Sequence, residues 1–258
     1  MSQPAIELRR VTYTVPDNGD ENGRRAILDD VSFLVPPRGI ACIMGVSGTG
    51  KTTLLRLMAG LVKPDSGEIL IEGRDIVPMK ERELNEMRRD LGFVFQYGAL
   101  FDSLTVAENV GFGLEQARRP RPEIEQTVAR LLSDVGLPGI EKELPSSLSG
   151  GMKKRVAMAR ALATEPRLVF YDEPTSGLDP VMARVLDDLI LKLRDETGAT
   201  NVVVSHHVPS ILRIADQVLM LHDARIVAQG APEEIRQSDS PIVQQFLEGR
   251  AEGPITVR

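Results

Sequence analysis

Residues 39–53 read "GIACIMGVSGTGKTT", and the fold follows from how this run divides. The apolar piece bounded by glycines has the composition of a strand buried on both faces of a parallel sheet. Gly45 to Thr52 fits the pattern G-x-x-x-x-G-K-[ST], with a further glycine at position 48. The following "KTTLLRLMAGL" carries apolar residues at helical spacing. Strand, glycine loop and helix in that order form a phosphate cradle. Gly45, Gly48 and Gly50 let the backbone turn tightly through Ser47, so that successive N–H groups and the helix N-terminus behind them surround a polyphosphate. Lys51 is placed to neutralise the β and γ oxygens, Thr52 to ligate Mg²⁺, and Thr53 to reach the α-phosphate.

Outward from this loop, strands alternate with helices. "IELRRVTYTV" and "AILDDVSFLV" alternate apolar and polar residues around the turn-rich "PDNGDENGRR", which predicts an antiparallel pair with a long tip. Further buried strands are expected at "GFVFQ", "LVFYD", "NVVVSH" and "VLMLHDARIVAQG". Between Gln96 and Phe170 the pattern turns helical, in "TVAENVGFGLEQA", "IEQTVARLLSDVGL" and "MKKRVAMARALA". The fold class expected is α/β: a P-loop core of the RecA-like kind, an antiparallel β subdomain, and an inserted α-helical subdomain at about residues 97–163. The ATPase domain is expected to run over residues 1–240. Residues 241–258 are expected to form a short helix and a tail broken by Gly253-Pro254, either docked on a neighbouring chain or a partner or left as a disordered end.

Composition limits the partners. Across 258 residues the apolar share is 42%, ample for a buried core, and the net charge is −6. An acidic chain is a poor match to a nucleic-acid backbone, so no nucleic-acid partner is expected. No apolar run approaches the roughly 18 residues a bilayer span requires, and "MSQPAIELRR" lacks the apolar core of a signal peptide. The chain reads as cytosolic, with any membrane role reached through a partner. The single cysteine, Cys42, excludes a disulfide framework and a cysteine metal site.

Two more stretches carry chemistry. In "LVFYDEP" an apolar strand ends on Asp172 and Glu173. Alone, such a pair is an ordinary helix-capping feature. Alongside a phosphate cradle in a parallel sheet, it supplies an acid to hold Mg²⁺ and a base to orient and deprotonate water. In "LSGGMKKRVAMARAL" Ser149, Gly150 and Gly151 open a helix whose N-terminus can present N–H groups to phosphate oxygens.

Together "GVSGTGKTTLL", "FQYGALF", "LSGGMKKRVAMARAL", "LVFYDEPTSGLDP" and "VVVSHH" resemble the P-loop, Q-loop, signature, Walker B with D-loop, and switch histidine of the ABC-type ATPases, in the family's order and spacing. The resemblance implies that Gln96 contacts Mg²⁺ and the attacking water, that Asp179 communicates across a dimer, and that His206 touches the γ-phosphate. It also implies a homodimer closed over two ATP molecules, each bound between one chain's P-loop and the other's signature. Departures are local. Met152 stands where most of the family has Gln, and His207 where Asp is common. The usual adenine-stacking position falls on Val15, with Tyr13 two residues earlier.

Within the family, "FQYGALFDSLTVAENV", the Met in "LSGGM", "SHHVPSILRIAD" and "FLEGRAEGP" resemble the ATPases of the Mla and Mce lipid transporters, of the MlaF and Mkl type. That resemblance implies a peripheral ATPase on the cytoplasmic side of the inner membrane of a Gram-negative envelope. Its implied partners are an MlaE-like permease, an MlaD-like lipid-binding protein and a small MlaB-like STAS-domain protein, with phospholipid as cargo. The other reading of the same core is a regulatory ATPase of the FtsE kind, signalling through a membrane partner without transport.

Overall fold

The computed structural model describes residues 3–17 and 23–256. The expected long tip between the first two strands falls largely on residues 18–22, which lie outside the described residues, as do the last two residues of the tail. The chain divides into two compact units, one running to Leu84 and resuming at Val202, the other Asn85–Asn201. Both mix strands with helices, as an α/β chain should.

The first unit opens with β1 (Ile6–Pro16) and β2 (Arg24–Val35), paired antiparallel with Ile6 opposite Val35 and Leu8 opposite Phe33. Their alternation sends Ile6, Leu8, Val11, Leu28, Val31 and Val35 inward. All five residues of β3 (Ile40–Met44) are buried. The glycine loop then delivers the chain into α1 (Lys51–Met58), which buries Leu54, Leu55, Leu57 and Met58. β4 (Ser66–Ile71) and β5 (Arg74–Asp75) enlarge the expected hairpin to a four-stranded sheet in the order β2-β1-β4-β5. β4 escaped the sequence pattern because "SGEILI" is short and opens on turn residues; its pairing with β1, Ile6 opposite Ile71, is a long-range event. α2 (Glu81–Arg88) crosses the division between the units.

The first strand of the second unit is β6 (Leu91–Val94). Three helices follow as expected: α3 (Val106–Gln116), α4 (Arg121–Asp134) and α5 (Gly150–Leu162). A capping box starts α3, with the Glu108 carboxylate accepting from Thr105 N at 2.7 Å and Thr105 Oγ1 accepting from Glu108 N at 3.3 Å. β7 (Leu168–Asp172), buried throughout, runs parallel to β6 with Leu91 opposite Leu168. After it comes α6 (Pro180–Thr197), absent from the sequence reading although its signals are strong. Asp179 caps it, Pro180 occupies its first turn, and Gly198 ends it in the left-handed region at φ 66°.

β8 (Thr200–Ser205) begins in the second unit and ends in the first. There the chain continues through α7 (Val208–Ile214), β9 (Gln217–His222), β10 (Arg225–Gly230), α8 (Pro232–Arg236) and α9 (Pro241–Glu248). The strand order within this unit is β10-β9-β3-β8, with β3 parallel to β9 and β10 antiparallel to it. The run "VLMLHDARIVAQG", expected as one buried strand, is therefore a hairpin. Asp223 and Ala224 turn it with φ of 44° and 63°.

The tail folds back on its own α9. Gln245, 5% exposed, accepts from Ile255 N at 2.7 Å and donates to Ile255 O at 3.1 Å, and Ile255 is itself 5% exposed. One side-chain amide thus acts as a strand partner for the tail. Among the described residues no helix is long and apolar enough to cross a membrane.

Candidate functional site

The first unit holds the phosphate cradle. Lys51, 6% exposed, donates from Nζ to the carbonyls of Gly45 and Val46 at 2.8 and 2.9 Å, which places its ammonium across the mouth of its own loop. The loop's geometry demands its glycines. Gly45 has φ 155° and a Cβ there would overlap the Leu221 carbonyl; Gly50, at φ 101°, would bring a Cβ to 2.7 Å from Ile27 Cγ2. Thr49 Oγ1 donates to Val46 O at 2.9 Å and tightens the turn. Ser47 and Gly48 are exposed at the crest, and Thr52 and Thr53 are half-buried in the first turn of α1. A loop closed this tightly, with a cation and two hydroxyls at the helix start, fits a polyphosphate and the oxygen-loving Mg²⁺ that accompanies it.

His206, at the end of β8, is exposed. Its neighbour His207 occupies the N-cap position of α7, where its Nδ1 lies 2.8 Å from Ser210 Oγ and its N–H donates to Ser205 Oγ at 3.0 Å. The departure at position 207 thus serves the local turn. Tyr13 sits in β1 opposite Leu28, paired as an ordinary strand residue, and Val15 faces Arg25.

The second unit holds the carboxylates and the signature. Asp172 and Glu173 are 6% and 8% exposed. Glu173 has φ 49°, a left-handed conformation that costs a non-glycine residue about 1–3 kcal/mol and persists only where the surroundings impose it. The carbonyls of this segment are held by Lys154 on α5, a residue that nothing in the sequence singles out. Its ammonium donates to the carbonyls of Glu173 at 3.3 Å, Pro174 at 2.7 Å and Ser176 at 2.6 Å. Burial lowers the Lys154 pKa, and the charge of Glu173 opposes the shift. Gln96, two residues after the end of β6, is half-buried. The turn that follows it is held by Arg160, whose guanidinium donates to Gly98 O at 2.8 Å and Ala99 O at 2.7 Å.

At the start of α5, Ser149 Oγ accepts from Met152 N at 3.3 Å and caps the helix. Gly151 is packed, and a Cβ there would meet Met182 at 3.0 Å. Gly150 is exposed, with nothing within 4 Å of a Cβ. Asp179 caps α6 by accepting from Val181 N and Met182 N at 2.9 and 3.0 Å. The two units therefore each gather part of the expected set: cradle and histidine in one, carboxylates, glutamine and signature in the other.

The sequence profile of the family described as "ABC transporter" matches residues 28–176, more than half of the chain and reaching from β2 past Glu173. The chain belongs to the ABC transporter family. Relatives are similar over nearly its full length. It is 44% identical over 254 residues to the intermembrane phospholipid transport system ATP-binding protein MlaF of Escherichia coli K12, covering 98% of this chain and 92% of that one. Identity is 41% over 256 residues to MlaF of Haemophilus influenzae, covering 99% and 94%. The probable ribonucleotide transport ATP-binding protein mkl of Mycobacterium leprae is 41% identical over 252 residues, covering 97% of this chain and 71% of that one. Among solved structures, the dimeric ATP-binding cassette MJ0796 in a post-hydrolysis state bound to ADP and Pi superimposes with TM-score 0.81 at 32% identity, covering 88% of this chain and 98% of that one. This ABC ATPase is of the Mla and Mkl type. It binds nucleotide and hydrolyses ATP.

Proposed function

We propose that this chain powers phospholipid transport between the inner and outer membranes and so maintains the lipid asymmetry of the outer membrane. The observation that carries the reading is the similarity to the intermembrane phospholipid transport ATP-binding proteins, which spans 98% of the chain. In this reading the ATPase lies peripherally on the cytoplasmic side of the inner membrane. An MlaE-like permease, an MlaD-like lipid-binding protein and an MlaB-like STAS-domain protein complete the complex.

The working unit is a homodimer enclosing two ATP molecules. Gly150 supports it: it is exposed in the first turn of α5, and nothing among the described residues lies within 4 Å of where its Cβ would stand. A missing side chain there suits the close approach of a phosphate held by a second copy. The roles follow from the chemistry of each group and, for Gln96, Asp179 and His206, from the family resemblance. Gly45, Ser47, Gly48, Gly50 and Lys51 bind the β- and γ-phosphates, and Thr53 binds the α-phosphate. Thr52, Gln96 and Asp172 are the oxygen donors for Mg²⁺, which when bound neutralises charge developing between the β and γ oxygens. Glu173 takes the proton of the attacking water, His206 contacts the γ-phosphate, and Asp179 reports across the dimer. Ser149, Gly150 and Gly151 present the α5 N-terminus to the partner's ATP.

The test is to purify the chain from membranes in mild detergent and identify what accompanies it. A permease together with a lipid-binding protein is the expected result. Recovery with a permease-like partner but no lipid-binding protein would support the regulatory, FtsE-like alternative.

A further inference from the structure

Helix α5 carries two devices at opposite ends of its first two turns. Its N-terminus is the signature, Ser149 to Gly151, and Lys154 follows on the buried side of the same helix. Lys154 is 7% exposed, and all three protons of an ammonium have carbonyl acceptors, on Glu173, Pro174 and Ser176. Those carbonyls belong to the segment that holds the strained Glu173 and leads, three residues beyond Ser176, to Asp179. A buried lysine placed on a carboxylate would be an ion pair. This one grips backbone with three hydrogen bonds, which fixes where the chain runs at Glu173.

We propose that Lys154 is a positioning residue that couples the two ATP sites of the dimer, by tying the signature end of α5 rigidly to the loop that aims Glu173. The proposal rests on the composite-site reading above. In that reading the signature serves the partner's ATP and Glu173 serves the chain's own. Any shift of α5 on meeting the partner's γ-phosphate therefore moves Glu173 through three hydrogen bonds rather than through flexible side-chain contacts. Displacements of the order of 1 Å at a catalytic group cost about 10²-fold in rate, so a rigid link of this kind is enough to gate hydrolysis.

The experiment uses the full chain. Lys154→Met removes every donor at nearly constant length, Lys154→Arg keeps charge and donors, and Lys154→Gln, with two amide donors, replaces Lys154→Met should that variant fail to fold. ATP turnover is measured against ATP concentration, nucleotide affinity by equilibrium binding, and folding by thermal melting. For Lys154→Met the expected result is a fall in kcat of about 10²-fold with ATP affinity preserved. Coupled sites predict a cooperative dependence on ATP in the unaltered chain; in Lys154→Met it becomes hyperbolic, and Lys154→Arg restores part of both the rate and the cooperativity. A folded Lys154→Met chain with wild-type kcat, or with reduced kcat and undiminished cooperativity, overturns the proposal, as does a parallel loss of nucleotide affinity and thermal stability without a specific kcat effect. ATP-dependent dimerisation of Glu173→Gln, read by light scattering, separates the two readings. Its absence defeats the composite site itself, whereas its presence with an unaffected Lys154→Met chain defeats only the coupling role.

Discussion

Lys51 donates from Nζ to the carbonyl of Gly45 at 2.8 Å, closing the phosphate loop between the two residues that bound it. In the proposed site this cation meets the polyphosphate, so Lys51→Met should weaken ATP binding by about 1.5–3 kcal/mol, or about 10- to 10²-fold in Kd. Equilibrium binding of a fluorescent ATP analogue checks this; unchanged affinity would place the phosphates elsewhere.

Gly45 faces the opposite constraint. With φ 155° and the Leu221 carbonyl against its α-carbon, Gly45→Ala should destabilise the fold by about 1–3 kcal/mol and abolish nucleotide binding. Chemical denaturation with and without ATP measures both effects, and a full-stability variant would show that the loop has room to relax.

Glu173, buried directly after β7, is the base of the proposed mechanism. Glu173→Gln should slow turnover by about 10²- to 10⁴-fold while ATP still binds. Near-normal turnover would transfer the role to another group.

Gly150 and Lys51 belong to different units, and in the proposed dimer they serve different ATP molecules. Mixing Lys51→Ala chains with Ser149→Arg chains should therefore leave at most one intact site per mixed dimer, and activity should appear only in the mixture. Activity in either homodimer alone would contradict composite sites. A dead mixture would mean that the two sites fire only together.

Acid should undo two carboxylate contacts. Hydrogen bonds from Thr105 N and Oγ1 hold the Glu108 carboxyl below its ordinary 4.5, and hydrogen bonds from Thr14, aided by the nearby Arg24, hold Asp65 below its ordinary 3.8. Each lowered pKa favours the folded state fully above the unfolded value, and that contribution disappears as pH falls through the lower folded value. The difference in urea midpoint between wild type and Glu108→Ala should be present at pH 7 and shrink below pH 4.5. A difference independent of pH would assign it to helix propensity alone.

What the sequence by itself determined is what local chemistry can encode. A phosphate loop is a contiguous backbone device, so "GVSGTGKT" announced its glycines and lysine directly. The fully buried β3 and β7 showed as short apolar runs, and the helices of the second unit as periodic ones. Only the tertiary structure decided the rest. Lys154 reads as a solvated helix lysine until α5 is packed against the loop after β7. Gln245 reads as an exposed amide until the tail returns to it, ten residues on. β4 reads as a turn until β1 supplies its ladder. In each case the deciding interaction joins a side chain or strand to a backbone distant in the chain or turned back upon it. No spacing pattern records such a partner, because backbone carbonyls and N–H groups are the same in every residue that could have supplied them.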